Sequence, residues 1–253
     1  MITLKTPREI QTMREANLIV AEILAFLGEI IRPGITTGEL NAIAEKMIKQ
    51  AGAKAAFKGY RMRNQRPYPA AICSSVNEEI VHGIPGKRVL VEGDIVGIDV
   101  GVIYKGFVGD AAKTYPVGRI SETAERLLRV TRESLYKGID MARVGNRLQD
   151  ISGAIQQHVE SHGFSVVRDF VGHGVGRKMH EPPQIPNYTG VGPNPRLEAG
   201  MTLALEPMVN EGSWQLKMLS DEWTVVTADG KLSAHFEHSI AVTENGPLIL
   251  SEL

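Results

Sequence analysis

Four carboxylates and one imidazole stand out in this chain because of the residues around them: Asp99, Asp110, His173, Glu206 and Glu237. Asp99 interrupts the apolar run Ile95-Val96-Gly97-Ile98-Asp99-Val100, and Glu206 interrupts Met201-Thr202-Leu203-Ala204-Leu205-Glu206. Glu237 is set in Ala234-His235-Phe236-Glu237-His238-Ser239-Ile240. A carboxylate inside a buried strand is costly unless it is paired or bound to a cation. Four carboxylates with one imidazole suit two hard or borderline divalent ions better than one structural zinc. His173 lies in Gly172-His173-Gly174-Val175-Gly176, where glycines let the backbone approach a site closely. Taken alone, it fits a glycine loop carrying an incidental histidine better. His180 follows in Lys178-Met179-His180-Glu181-Pro182-Pro183, and His82 stands in Val81-His82-Gly83-Ile84-Pro85. Three histidines near glycines, with inward acids nearby, point to chemistry. His158 and His162 lie near a helix end and read as ordinary surface residues.

Elements of two kinds must position these groups. Ile95 to Tyr104 and Phe107 to Val117 read as a hairpin turning at Lys105-Gly106. That turn sets Asp110 opposite Gly101, so Asp99 and Asp110 become diagonal neighbours on one face, about 7–8 Å apart at the backbone. The alternative is a pair of turn-side aspartates near solvent. Thr6-Pro7-Arg8-Glu9 and Thr36-Thr37-Gly38-Glu39 are helix starts, with a threonine cap and a glutamate three residues on. Ile10, Met13, Val20, Leu24 and Leu27 then recur at roughly helical spacing, toward an end near Pro33-Gly34. A third helix starts at Ser121, and a fourth carries Leu148, Ile151, Ile155 and Val159 up to Gly163. Gly34, Leu40, Ile48 and Gly52 match Gly145, Ile151, Val159 and Gly163 at a constant offset of 111. The strands continue at an offset of 107, with Gly93 matching Gly200 and Asp99 matching Glu206. The expectation is one catalytic domain over 1–253, built as two related halves, about 1–120 and 121–253, each supplying part of one site.

With 253 residues the chain can bury a full core, and 43% hydrophobic with 23% charged residues is an ordinary globular composition. A net charge of −1 argues against nucleic acid as the main ligand. Cys73 is the single cysteine, which rules out an intramolecular disulfide and fits a reducing compartment. No cationic, apolar leader opens the sequence and no apolar run reaches membrane-spanning length, so a cytoplasmic protein is expected.

Asn77-Glu78-Glu79-Ile80-Val81-His82-Gly83-Ile84-Pro85 resembles the methionine aminopeptidases, as do Gly172 to Arg177, His180-Glu181-Pro182-Pro183, Leu205-Glu206-Pro207-Met208 and Phe236-Glu237-His238. The likeness runs over nearly the whole chain and is to the short, type I form. It implies an α+β pita-bread fold: two pseudo-symmetric halves around an antiparallel sheet, helices on the outer face, enclosing a dinuclear metal centre. By that resemblance Asp99 would bind one metal in bidentate fashion, Asp110 and Glu237 would bridge both, and His173 and Glu206 would complete the second. Glu206 would also move the proton of the attacking water, His180 would donate to the developing oxyanion, and His82 would contact the scissile amide. The methionine pocket would fall to Tyr68, Cys73, Met179 and Trp223, with Tyr60 less firmly placed; core packing explains Cys73, Met179 and Trp223 equally well.

The implied activity is removal of the amino-terminal methionine from nascent polypeptides, with a small second residue preferred and two divalent ions as cofactors. The residues do not choose among Co, Mn, Fe and Zn. A monomer without membrane or specific nucleic-acid partners is expected, with the ribosome near its exit tunnel as a further partner to consider. A proline-specific aminopeptidase or a non-catalytic binding protein of the same fold is the alternative. Arg61-Met62-Arg63-Asn64-Gln65-Arg66-Pro67, at the rim of the pocket, departs from the short, glycine-rich link usual in the family.

Overall fold

The computed structural model describes residues 2–61 and 66–253. Met62, Arg63, Asn64 and Gln65 of the arginine-bearing loop therefore lie outside the described residues. In chain order the first half contains α1 (Pro7–Ile30), α2 (Thr37–Gln50), β1 (Lys54–Ala55), β2 (Ile72–Val76), β3 (Glu79–Val81), β4 (Ile95–Tyr104) and β5 (Phe107–Pro116). The second begins with α3 (Glu122–Met141), α4 (Leu148–Ser161), β6 (Ser165–Val166), β7 (Gly172–Gly174) and β8 (Glu181–Ile185). It continues with β9 (Thr202–Leu205), β10 (Met208–Asn210), β11 (Leu216–Met218), β12 (Val225–Thr227), β13 (Ser233–His235), β14 (Glu237–Thr243) and β15 (Gly246–Ile249).

The helices start where capping chemistry puts them. Thr6 Oγ1 accepts from the Glu9 amide at 3.3 Å while the Glu9 carboxylate accepts from the Thr6 amide at 3.0 Å. Thr36 and Glu39 repeat the exchange at 3.1 and 2.8 Å. Each box satisfies two backbone donors that a helix N-terminus otherwise leaves open. α1 stops at Ile30, a few residues ahead of Pro33-Gly34.

The main sheet runs β1-β4-β5-β14-β9-β7-β8, with β2 also on β4 and β15 also on β14. Its pairings are antiparallel. Strand alternation divides the two faces. On β4, Val96, Ile98, Val100 and Val102 join Val20, Ile23 and Leu27 of α1 and Leu40 and Ile48 of α2 in one core. On the other half, Leu203, Leu205, Ile240 and Val242 join Leu127 and Leu135 of α3 and Ile151 and Ile155 of α4. Each fully buried aliphatic side chain of these cores contributes about 1.5–3 kcal/mol of transfer free energy. The helices thus cover one face, and the intervening residues, Asp99 among them, are left for the other.

The repeat seen in the sequence has a counterpart in backbone hydrogen bonds. Gly34 N donates to Leu90 O at 2.8 Å, and Gly145 N donates to Leu197 O at 3.2 Å. Leu90 N returns to Ile35 O at 2.8 Å, as Leu197 N returns to Asn146 O at 2.7 Å. Thr37 N donates to Arg88 O and Leu148 N to Pro195 O, at 3.0 and 3.1 Å. Gly34 and Gly145 share a left-handed φ of 96° and 93°, and Gly93 and Gly200 share 96° and 93°. The two halves are pseudo-symmetric, and they meet where β5 pairs with β14, Glu237 opposite Ala112 and His238 opposite Ala111, and again where β3 pairs with β12, Val81 opposite Val225.

Candidate metal centre and substrate cavity

The hairpin closes at Tyr104 and Phe107, and its register sets Gly101 opposite Asp110 and Asp99 opposite Ala112. Both acids therefore leave the sheet on the face away from the helices. Glu237 joins them because it is opposite Ala112 across the β5–β14 pairing. His173 enters from β7, opposite Ala204 of β9, at a bulge between His173 and Gly174. A Cβ at Gly174 would fall 2.3 Å from the Pro182 carbonyl oxygen, and one at Gly172 2.5 Å from that of Ala204. The glycines flanking His173 are thus required by close backbone packing. Glu206 lies one residue beyond β9, half-buried, rather than inside the strand. Its parity still matches Ala204, so it points into the same cavity.

Asp110, His173 and Glu237 each bring a ligand atom within 4.8 Å of the others, and all three are buried. His173 Nε2 is 3.4 Å from Glu206 Oε1 and 3.8 Å from Asp110 Oδ2. Asp99 Oδ1, Asp110 Oδ1 and Glu237 Oε1 are buried without a hydrogen-bond partner. Burial pushes the Asp99 carboxyl up to about 7. Burial first, then the neighbouring carboxylates, pushes Asp110, Glu206 and Glu237 well above the usual range. Acids crowded in this way require protons or cations to coexist. His173 is pushed down to about 4, chiefly by burial, so its imidazole is neutral and free to act as a ligand. Orphaned oxygens, an oxygen-rich donor set and one neutral imidazole together fit divalent metal ions.

The backbone under these groups is held by polar side chains that the sequence does not single out. Asn17 of α1 is fully buried; its Oδ1 accepts from Asp110 N at 3.1 Å and its Nδ2 donates to Met13 O at 2.9 Å. Ser239 Oγ donates to Asp110 O at 2.8 Å. A Cβ at Gly109 would sit 2.6 Å from the carbonyl of Ala16, so α1 can approach Asp110 only over a glycine.

The cavity beside the acids is lined by Tyr68, Cys73, Met179 and Trp223, together with Phe57 and Tyr60. Tyr68 meets Trp223 edge-on at 5.2 Å, and its Oη donates to Gly83 O at 2.8 Å. A Cβ on Gly101 would fall 2.7 Å from Phe57 and 2.9 Å from the Met179 methyl, so the space above this glycine is filled by those two side chains. The open volume of about 140 Å³ is close to the ~150 Å³ of a cavity that holds benzene, room for one side chain. His82 lines the same cavity with φ of 60°, a left-handed backbone that Gly83 and Ser74 hold in place through Ser74 N to Gly83 O at 2.8 Å. Burial depresses His82 to about 4. His180 is exposed at the cavity wall, its ring 4.4 Å from that of His173, with Nδ1 2.7 Å from Tyr60 Oη.

Every site residue expected from the sequence therefore meets at one cavity. His235 was not expected there. It is buried and its Nε2 lies 3.7 Å from Glu206 Oε2. Its backbone exchanges hydrogen bonds with Thr114 Oγ1 at 2.8 and 2.9 Å, and burial depresses it to about 3. The signal available was parity, since His235 lies two residues before Glu237. Phe57 and Phe170 carried no comparable signal.

The sequence matches metallopeptidase family M24 over residues 11–244. It is 57% identical over 251 residues to a methionine aminopeptidase of Clostridium perfringens, covering 99% of each chain. It is 56% identical over 253 residues to methionine aminopeptidase 1 of Bacillus subtilis, covering 100% of each. The crystal structure of a methionine aminopeptidase from Thermotoga maritima superposes with a TM-score of 0.96 at 51% identity, again over 100% of both chains.

Proposed function

The chain belongs to metallopeptidase family M24, and we propose that it removes the amino-terminal methionine of polypeptides by metal-assisted hydrolysis of the first peptide bond. The observation that carries the reading is the meeting of Asp99, Asp110, His173, Glu206 and Glu237, with orphaned carboxylate oxygens, beside a cavity sized for one side chain. Asp99, Asp110 and Glu237 would hold two divalent ions, with His173 and Glu206 completing the set. The chemistry such ions supply when bound is Lewis acidity, which polarises a carbonyl and makes water nucleophilic at neutral pH.

The remaining work falls to the protein's own groups. Glu206, a carboxyl whose proton affinity is raised by burial, takes a proton from water and returns it to the leaving amine. With Tyr60 Oη, 2.7 Å away, donating to His180 Nδ1, the imidazole would present Nε2–H as a donor for the developing oxyanion. His82, neutral at pH 7, contacts the scissile amide. Cys73, Met179 and the faces of Tyr68 and Trp223 give a soft, polarisable lining that suits a thioether. The residue after methionine would face the cavity mouth, where small side chains fit best. One catalytic unit spanning both halves is proposed, because the ligand set draws on each. Cytoplasmic residence is proposed from the unpaired, buried Cys73. Among the described residues no helix is long and apolar enough to cross a membrane.

The test is a chelated protein reloaded in turn with Mn, Co, Fe or Zn and offered Met-Ala-, Met-Lys-, Leu-Ala- and Ala-Pro-initiated peptides. Metal-dependent release of methionine, fastest before alanine, is expected. Preference for the Ala-Pro peptide would transfer the reading to a proline-specific enzyme, and no cleavage with any metal would make it a binding protein.

A further inference from the structure

We propose that Glu133, His158 and His162 form a second metal site, between α3 and α4, that takes one borderline divalent ion such as zinc, nickel or copper(II). One ligand atom from each of the three lies within 4.8 Å of the others. None of them lines the catalytic cavity, so the site stands independently of the proposed peptidase reaction.

His158 sits in the last turn of α4 and His162 is its C-cap residue, four positions on and on the same side. Their rings lie 4.5 Å apart between centroids. Glu133 reaches across from α3, where its Oε2 accepts from His158 Nε2 at 3.0 Å, a proton that a bound ion would replace. All three side chains are half-buried, so an ion held by them keeps open positions for water. The two helices are closely fitted: a Cβ at Gly138 of α3 would fall 2.8 Å from Ile155 of α4.

The tautomer of His162 is set in the way that metal-binding imidazoles use. Its Nδ1 is 2.7 Å from the His158 carbonyl oxygen, an acceptor only, so Nδ1 carries the proton and Nε2 the lone pair. Ser161 Oγ donates to that same carbonyl at 2.9 Å. Two imidazoles and one carboxylate form a softer donor set than the oxygen-rich catalytic one, which selects ions toward the zinc and copper end of the series. Arg129 opposes the ion: its Nη1 lies 3.3 and 3.4 Å from the two Glu133 oxygens and competes for the carboxylate.

The experiment is equilibrium dialysis of the intact protein against buffered zinc, with bound metal counted per folded chain. Wild type is expected to retain one equivalent more than His162→Ala or His158→Ala, with peptidase activity unchanged in both. Should an alanine variant lose its far-UV spectrum, His162→Gln gives the same comparison without leaving a hole. Arg129→Ala should lower the free zinc needed for half-saturation of that equivalent severalfold. Bound copper(II) should show magnetic coupling to two imidazole nitrogens in wild type and to one in His162→Gln. Equal zinc stoichiometry across wild type and all the histidine variants overturns the proposal. So does loss of the extra equivalent in Glu237→Gln but not in His162→Gln, which would assign the ion to the catalytic cavity.

Discussion

Glu206 differs from the other acids in position: it lies one residue past its strand, with His173 3.4 Å from its Oε1 and His235 3.7 Å from its Oε2. Glu206→Gln keeps an oxygen toward the site but removes the acceptor, so turnover should fall by about 10²–10⁴-fold. Metal content measured in parallel should remain at least partial; normal turnover with normal metal would refute the proton role. The crowded carboxyls also make stability depend on pH. Asp99 is raised from 3.8 to about 7, so its contribution in metal-free protein is complete below about pH 4 and disappears as pH climbs through 7. His82 and His173, depressed to about 4, act in the opposite sense: their share is present above about 6.5 and is lost as pH falls toward 4. Divalent ions relieve the carboxylate repulsion and compete with protons for the same oxygens. The rise in melting temperature on adding metal should therefore be larger at pH 7.5 than at pH 5. An equal rise at both values would separate the carboxyls from metal binding.

Among the elements, α1 reaches the site over a single glycine of β5. Gly109 lets the helix backbone come close enough for Asn17 to hold the Asp110 amide. Gly109→Ala should cost about 1–3 kcal/mol by overpacking. It should also weaken metal binding, because α1 must back away and release Asp110. Calorimetric unfolding and metal titration of the same variant check both halves; lost stability with unchanged metal affinity would leave Asn17 a purely structural role. This link was invisible in the sequence, where Asn17 is a polar residue on an otherwise regular helix. What was legible were local rules: the Thr6–Glu9 and Thr36–Glu39 boxes, and a hairpin whose two-residue turn fixes the Asp110–Gly101 register. His235 was passed over for the opposite reason. Its partners, Thr114 and Glu206, are distant in the chain, and only the packing of β13 beside β5 unites them. Glu206 was read as a strand residue because the apolar run gives no sign of where pairing stops.

At the scale of the molecule, Asp99 and Asp110 belong to the first half and His173, Glu206 and Glu237 to the second, so on the proposed assignment neither half would own a complete ligand set. The halves touch along the β5–β14 and β3–β12 pairings and are joined covalently near Gly118 and Arg119, where Gly118 turns with φ of 65° and the Arg119 side chain is almost wholly exposed. Ions held as proposed would then act as a clasp as well as supply the chemistry. Cut by a protease at a recognition sequence engineered over 118–120, the nicked chain should stay associated and active on a sizing column while metal is present. Chelation should loosen or part the two pieces, and re-addition should bring back both the elution position and the activity. Pieces that hold together equally well without metal would show that apolar contact alone ties the halves. If the clasp is real, the supply of metal in the cell governs how firmly this chain is assembled, and not merely how fast it works.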